Sequence, residues 1–124
     1  MESEFTISYT GVDNIGNSPT NEFKSEAILS WKEMFYYISP ALTSYTNIGT
    51  VKKLIINCAI SKGGKSGFAT FLDEQNFLTI SAQFQAYGLV HVENLQTTQG
   101  EFADFWILTN KGKTLMLQMR TIKE

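Results

Sequence analysis

Residues 47–64, NIGTVKKLIINCAISKGG, decide between two folds for this chain. The apolar residues that recur there at helical spacing are Val51, Leu54, Ile55, Cys58 and Ala59. Asn47 or Thr50 can cap the start of such a helix, and Gly63 or Gly64 can end it. The pattern therefore predicts a helix that stops at the glycine pair.

The end of this stretch also matches the pattern of a nucleotide-binding P-loop. Residues 59–66, AISKGGKS, place four residues between an alanine and the sequence Gly-Lys-Ser. A working P-loop has a strand before its glycines and a helix after them, so that backbone amides face the phosphates. Here the predicted helix comes first, and residues 67–73, GFATFLD, read as a short strand. A helix end is the better interpretation; the alternative is that LIINCAI is a buried strand, since short apolar runs fit both states.

The second half predicts a helix, a β-hairpin and a last helix. A helix is predicted after Asp73 and Glu74, because apolar residues recur there at helical spacing: Phe77, Ile80, Phe84 and Tyr87. Residues 89–95, LVHVENL, and 102–109, FADFWILT, read as strands joined by a turn. Thr109 or Asn110 caps the last helix. The core side of that helix consists of Leu115, Met119 and Ile122.

The first part of the chain completes the predicted architecture. Ser30 and Glu33 form a capping box for a helix that begins at Trp31. Residues 1–23 read as an N-terminal edge strand, over Glu4 to Tyr9, and a surface loop. Residues 24–124 then form an α+β domain of the winged helix-turn-helix type, with three helices, a β-hairpin wing and a C-terminal helix.

Three strings carry a resemblance to a known group of proteins. They are SWKEMFYYISPAL (30–42), FLTISAQFQAYGLVHVE (77–93) and FWILTNKGKTLMLQMRTIKE (105–124). These resemble the winged-helix-like C-terminal region of uncharacterised bacterial proteins whose N-terminal domains are TIR-like or nucleoside-hydrolase-like. The resemblance implies an accessory module without a catalytic motif, in a defence or stress-response protein. The chain is then either a fragment of such a protein or a standalone relative.

Composition narrows the possible functions. The 124 residues carry a formal charge of −2, so no overall basic field attracts nucleic acid or anionic lipid. No apolar run approaches the ~18 residues that suggest a membrane span, and the start, MESEFTISY, is unlike a signal peptide. We therefore expect a cytoplasmic protein without membrane association. Its single cysteine, Cys58, excludes an internal disulfide and is expected to be buried.

Catalysis is not expected from these residues. The one histidine, His91, lies in a strand without a predicted acid partner, and no nucleophile elbow is present. Asp73 and Glu74 fit a helix N-terminus better than an acid–base pair. No spacing supports a metal site or a cofactor site. The sequence predicts a protein that is not an enzyme.

Two binding functions are left. DNA binding by a winged helix requires a basic third helix and wing, yet no Lys or Arg occurs between Lys65 and Lys111. A small, uncharged helix surface favours a protein partner or self-association as a homodimer. Tyr36 and Tyr37 can add aromatic anchors, although one of them can instead complete the core. The candidate interaction surface consists of Tyr36, Tyr37, Gln75, Thr79 and Gln83.

Overall fold

The computed structural model describes residues 1–13 and 21–121, which form an α+β fold with four α-helices and two three-stranded antiparallel sheets. In chain order the elements are β1 (Glu4–Asp13), β2 (Asn21–Ser30), α1 (Trp31–Ile38), a 3-10 helix (Ser39–Thr43), β3 (Thr46–Asn47), α2 (Ile48–Ser61), β4 (Ala69–Leu72), α3 (Glu74–Ala86), β5 (Val90–Gln96), β6 (Phe102–Leu108) and α4 (Asn110–Arg120). The predicted order of helices and hairpin over the second half is confirmed.

The N-terminal sheet has the strand order β2-β1-β4. The expected edge strand is therefore wrong, because β1 is the central strand and pairs with β2 from Glu4–Ser30 to Asp13–Asn21. Inward positions of β1, such as Ile7 and Tyr9, are buried in the same core as the helices. β1 and β2 thus join residues on both sides of the expected boundary at 23. Part of the expected surface loop, residues 14–20, lies outside the described residues.

The second sheet has the order β3-β6-β5 and contains the predicted hairpin. Its central strand carries Trp106, which is fully buried and lies opposite Val92 on β5. The Trp106 ring stacks on Phe77 of α3, with centroids 5.5 Å apart. One large side chain thus joins the sheet to α3.

The predicted helix caps are confirmed. Both hydrogen bonds of the Ser30–Glu33 capping box are present, which fixes the start of α1. The side chains of Asn47, Asp73 and Thr109 accept hydrogen bonds from backbone amides at the starts of α2, α3 and α4. Each cap satisfies a donor that the first helical turn leaves unpaired.

α2 is buried along the stripe that the sequence predicts. Val51, Ile55, Cys58 and Ala59 are at most 2% exposed, and Leu54 is half-buried. The helix contacts α1, all three strands of the N-terminal sheet and both β3 and β6. It therefore lies between the two sheets and shares its core with each of them.

α4 is held against the rest of the domain by its first turn. Thr109 Oγ1 donates to the Gly88 carbonyl, at 2.6 Å, and accepts from the Gly112 amide, at 2.9 Å. A Cβ atom at Gly112 would lie 2.1 Å from the Leu89 carbonyl oxygen, so only glycine fits this approach. The side chains of Leu115 and Met119 on α4 are half-buried against the core, and Ile122 lies outside the described residues.

We expect Gly112→Ala to lower the free energy of unfolding by about 1–3 kcal/mol, because the new methyl group must push α4 away from the Leu89 carbonyl. This loss should exceed the gain of about 1 kcal/mol that alanine gives in a helix. Urea unfolding followed by circular dichroism measures the change. Lys113→Ala, at the next, exposed position of α4, is the control and should change stability little. Equal stability of Gly112→Ala and the wild type would contradict the close contact.

Candidate interaction surfaces

The glycine pair ends α2, and its amides are already used. Gly63 has a φ of 101° and donates its amide to Ile60, while Gly64 donates to the Ala59 carbonyl. The Lys65 amide donates to Ser25 Oγ of β2 at 3.0 Å. Three successive amides therefore point into the protein instead of towards a phosphate. A strand, β4, follows them instead of the helix that a P-loop requires.

Lys65 ties this loop to the N-terminal sheet. Its ammonium group lies 2.7 Å from Asp13 Oδ2 and 4.5 Å from the ring centroid of Phe23. The buried Tyr9 donates its hydroxyl hydrogen to the Lys65 carbonyl at 2.6 Å. The residue that a P-loop would use for phosphate is here a structural anchor. AISKGGKS is therefore a helix end packed on a sheet.

We expect Lys65→Ala to destabilise the protein by about 0.5–1 kcal/mol, because it removes one partly exposed ion pair and one cation–π contact. The loss should shrink as salt rises, since salt screens the ion pair. Thermal unfolding measures the loss of stability and its dependence on salt, and it is repeated with magnesium and ATP. The exposed Lys53→Ala is the control. Nucleotide should leave the melting temperature of every variant unchanged. Protection of the wild type by ATP that Lys65→Ala loses would instead indicate a phosphate site.

Tyr36 and Tyr37 lie in a groove between α1, α2 and α4. The two rings are 45% and 40% exposed, so neither completes the core. The groove has a volume of about 740 Å³. It is lined by Lys32, Glu33, Tyr36, Tyr37, Cys58, Ser61, Lys62, Leu115, Gln118 and Met119. We call it the tyrosine groove.

Two contacts hold the walls of the tyrosine groove in place. Lys62, which caps the end of α2, lies 2.5 Å from Glu33 Oε2 on α1. Its hydrogen bond lowers the pKa of the Glu33 carboxyl and raises that of Lys62. Arg120 stacks over the Tyr36 ring at 3.9 Å and donates to the Tyr36 carbonyl. α1 is thus joined to α2 on one side and to α4 on the other.

Cys58 lines the tyrosine groove with a buried side chain. Its side chain is buried, as the sequence predicts, and burial raises the pKa of the thiol to about 12. A thiol attacks as its thiolate, which is a negligible fraction near neutral pH at that pKa. Cys58 therefore contributes apolar surface to the groove.

The other three predicted residues lie on a different helix, α3. Gln75 and Thr79 are exposed and Gln83 is half-buried, on the side opposite the buried stripe of that helix. None of them lines the tyrosine groove. Phe84 of α3 faces α1 through Trp31 and Phe35, at centroid distances of 5.6 and 5.9 Å. The structure thus brings the two tyrosines together and leaves the three α3 residues as a second surface.

Sequence reasoning missed the α2 and α4 walls of the groove. Tyr36 and Tyr37 were predicted from helical spacing, whereas Lys62, Met119 and the stacked Arg120 come from elsewhere in the chain. Those three residues meet α1 only through tertiary packing. The sequence feature that indicates an apolar wall is the spacing of Leu115 and Met119 along one side of α4.

Most basic side chains are occupied within the protein. Nine of the ten Lys and Arg residues lie in the described part of the chain. Four of them form the ion pairs Lys32–Glu2, Lys52–Glu74, Lys62–Glu33 and Lys65–Asp13. Lys111 donates to the Tyr87 carbonyl, and Arg120 stacks on Tyr36. Lys52, Lys62 and Lys65, on and after α2, are therefore all engaged in ion pairs within the protein.

His91 lies beside an acid that the sequence analysis did not predict. Its Nε2 atom is 4.0 Å from Glu93 Oε2 on the same strand. Tyr45 donates its hydroxyl hydrogen to the same oxygen at 2.6 Å, and this hydrogen bond raises the pKa of Tyr45. Tyr45 and His91 are exposed and Glu93 is half-buried, and none of the three lines the tyrosine groove.

Within residues 1–13 and 21–121, no three His, Cys, Asp or Glu side chains gather where they could hold a metal ion. No helix in this part of the chain is long and apolar enough to cross a membrane. Comparison of the chain with protein-family models, characterised proteins and solved structures finds no match.

Proposed function

We propose that this chain is a non-catalytic module for protein interaction or oligomerisation. The tyrosine groove is the observation on which the proposal rests. It presents two exposed aromatic rings together with the apolar side chains of Cys58, Leu115 and Met119. Tyrosine is enriched among residues that dominate protein interfaces, because it buries a large area and keeps a polar end.

The charges around the tyrosine groove favour a particular kind of partner. Glu33 is neutralised by Lys62, and Lys32 is held by Glu2 only at 3.6 Å, with both side chains more than half exposed. Arg120 adds a second cation beside Tyr36. We therefore propose a protein segment that places an apolar side chain between the tyrosines and an acidic side chain near Lys32 or Arg120.

DNA binding is the alternative function, and the topology supplies one argument for it. A short strand between the first two helices, β3, pairs with the second strand of the hairpin, β6. A winged helix has the same strand pairing, but this chain begins with the β1–β2 hairpin and builds a second sheet from β1, β2 and β4, so its strand order departs from that of a winged helix. The proposed recognition helix, α3, begins at Glu74 and carries no Lys or Arg. Without phosphate anchors, its outer residues would be poorly held in a groove of DNA.

The resemblance of the three strings to accessory regions of bacterial proteins fits an interaction module. In that setting the tyrosine groove would hold a segment of a catalytic domain, or of a partner protein, in a defence or stress response. The proposal assigns no reaction, cofactor or metal to this chain itself.

Selection from a displayed library of short peptides tests the proposal. We expect enriched peptides to combine aromatic or aliphatic residues with Asp or Glu. Tyr37→Ala should weaken their binding by at least about tenfold, as is typical of an interface hot spot. Tyr45→Ala is the matched control, since Tyr45 is 49% exposed and Tyr37 is 40% exposed. It should leave peptide affinity unchanged.

A titration with a short mixed-sequence DNA duplex at low salt provides the contrary outcome. The interaction-module proposal predicts no binding of the duplex. Binding that weakens steeply as salt rises, together with no Tyr37-dependent peptide, would overturn the proposal in favour of DNA recognition.

A further inference from the structure

α4 is fixed to the domain at its two ends and more loosely between them. Its first turn is held by the Thr109 hydrogen bonds and by the close approach of Gly112, the one buried residue of this fully described helix. Its last residue, Arg120, contacts Tyr36 on α1. Within the described part of the chain, no side chain of residues 113–119 forms a hydrogen bond with another element.

A proline leaves the acceptor of Arg120 free. In an α-helix, a carbonyl accepts from the amide four residues later, which for Tyr36 is residue 40. Pro40 has no amide hydrogen. Arg120 donates to this carbonyl instead, and its guanidinium lies 3.9 Å from the centre of the Tyr36 ring. The last turn of α1 has no basic residue of its own, so Arg120 also supplies the positive charge that stabilises a helix C-terminus.

The side of α4 that faces the domain buries little apolar surface. Leu115, Met116 and Met119 are half-buried, and Leu117 is 60% exposed. Segments with few buried contacts open locally at a lower free energy than the whole domain unfolds. The end of α4 is therefore free to move while the core around α2 stays intact, provided that the contact between Arg120 and Tyr36 is broken.

We propose that α4 is a hinged wall of the tyrosine groove, anchored at its first turn and closed by the contact of Arg120 with Tyr36. Loss of this contact lets the far end of α4 move away from α1 and widens the groove. Arg120 is thus a positioning residue for the groove. The inference rests on the proposed function for the use of this opening, whereas its tests involve no ligand.

Cys58 gives the opening a direct readout. It lines the groove together with Leu115 and Met119 of α4, yet it is only 2% exposed. A thiol reagent therefore reaches this single cysteine when the protein opens. We expect Arg120→Ala to raise the rate at which an aromatic disulfide reagent labels Cys58 in the folded chain by at least about fivefold, because a charged hydrogen bond and a cation–π contact are lost.

The matched control for Arg120→Ala is Lys113→Ala, which removes an exposed cation from the same helix. It should be labelled at the wild-type rate. Circular dichroism confirms that each variant is folded before labelling begins.

Urea distinguishes a local opening of α4 from unfolding of the whole domain. The effect of urea on an opening grows with the surface that the opening exposes. Movement of α4 alone exposes little, so the labelling rate of Cys58 should change only weakly with urea below the unfolding transition. Labelling through global unfolding would instead rise as steeply as the unfolding equilibrium itself.

Pro40→Ala tests why Arg120 binds the Tyr36 carbonyl. The new amide donates to that carbonyl as in a regular helix and competes with Arg120. Because Pro40 is exposed, the change does not open the core. In a double-mutant cycle, Arg120→Ala should accelerate labelling less in the Pro40→Ala background than in the wild type. Equal acceleration in both backgrounds would contradict the role of the freed carbonyl.

Two results would overturn the hinged-wall inference. One is labelling of Cys58 that follows the full urea dependence of unfolding, which would show that α4 does not open by itself. The other is a labelling rate of Arg120→Ala equal to that of Lys113→Ala. Tyr37-dependent peptide binding is measured separately, so failure of this inference is distinguishable from failure of the proposed function.

Discussion

The burial of α2 between two sheets is the constraint on which the rest of the structure depends. One side of the helix packs on β1, β2 and β4, and the other reaches β3 and β6. Since Val51, Ile55 and Ala59 are fully buried, α2 cannot shift without opening both halves of the core. Its end at Gly63 returns the chain to the N-terminal sheet, where Tyr9 holds the Lys65 carbonyl. The residues that match the P-loop pattern therefore form the end of α2 and its connection to the N-terminal sheet.

Local patterns predicted the elements whose residues show one clear period. Capping residues such as Ser30 and Thr109 mark helix starts from sequence alone, because each cap is a contact within four residues. β2 escaped prediction because two of its inward positions, Ser25 and Ala27, are small, so the alternation along it is weak. The central place of β1 depends on pairing with β2 and with the distant β4, which no local pattern reveals.

For the candidate site, too, the sequence predicted local features and not contacts between distant parts of the chain. Helical spacing predicted that Tyr36 and Tyr37 point outward. The groove in which they lie also needs residues of α2 and α4, which no spacing within α1 can reveal. The sequence gives the number of lysines but not their partners, and four of the described lysines form ion pairs with residues distant in the chain. That pairing lowers the positive charge available to DNA phosphates.

Native-state hydrogen exchange, resolved by residue, tests the central place of α2 most directly. If the two sheets share one core through this helix, the amides of Tyr9 on β1, Ile55 on α2 and Trp106 on β6 should exchange only through global unfolding, with equal free energies. Their free energies should then fall together in denaturant. Exchange of the β1 amides through a separate, lower-energy opening would contradict the account, because it would make the N-terminal sheet an independent attachment.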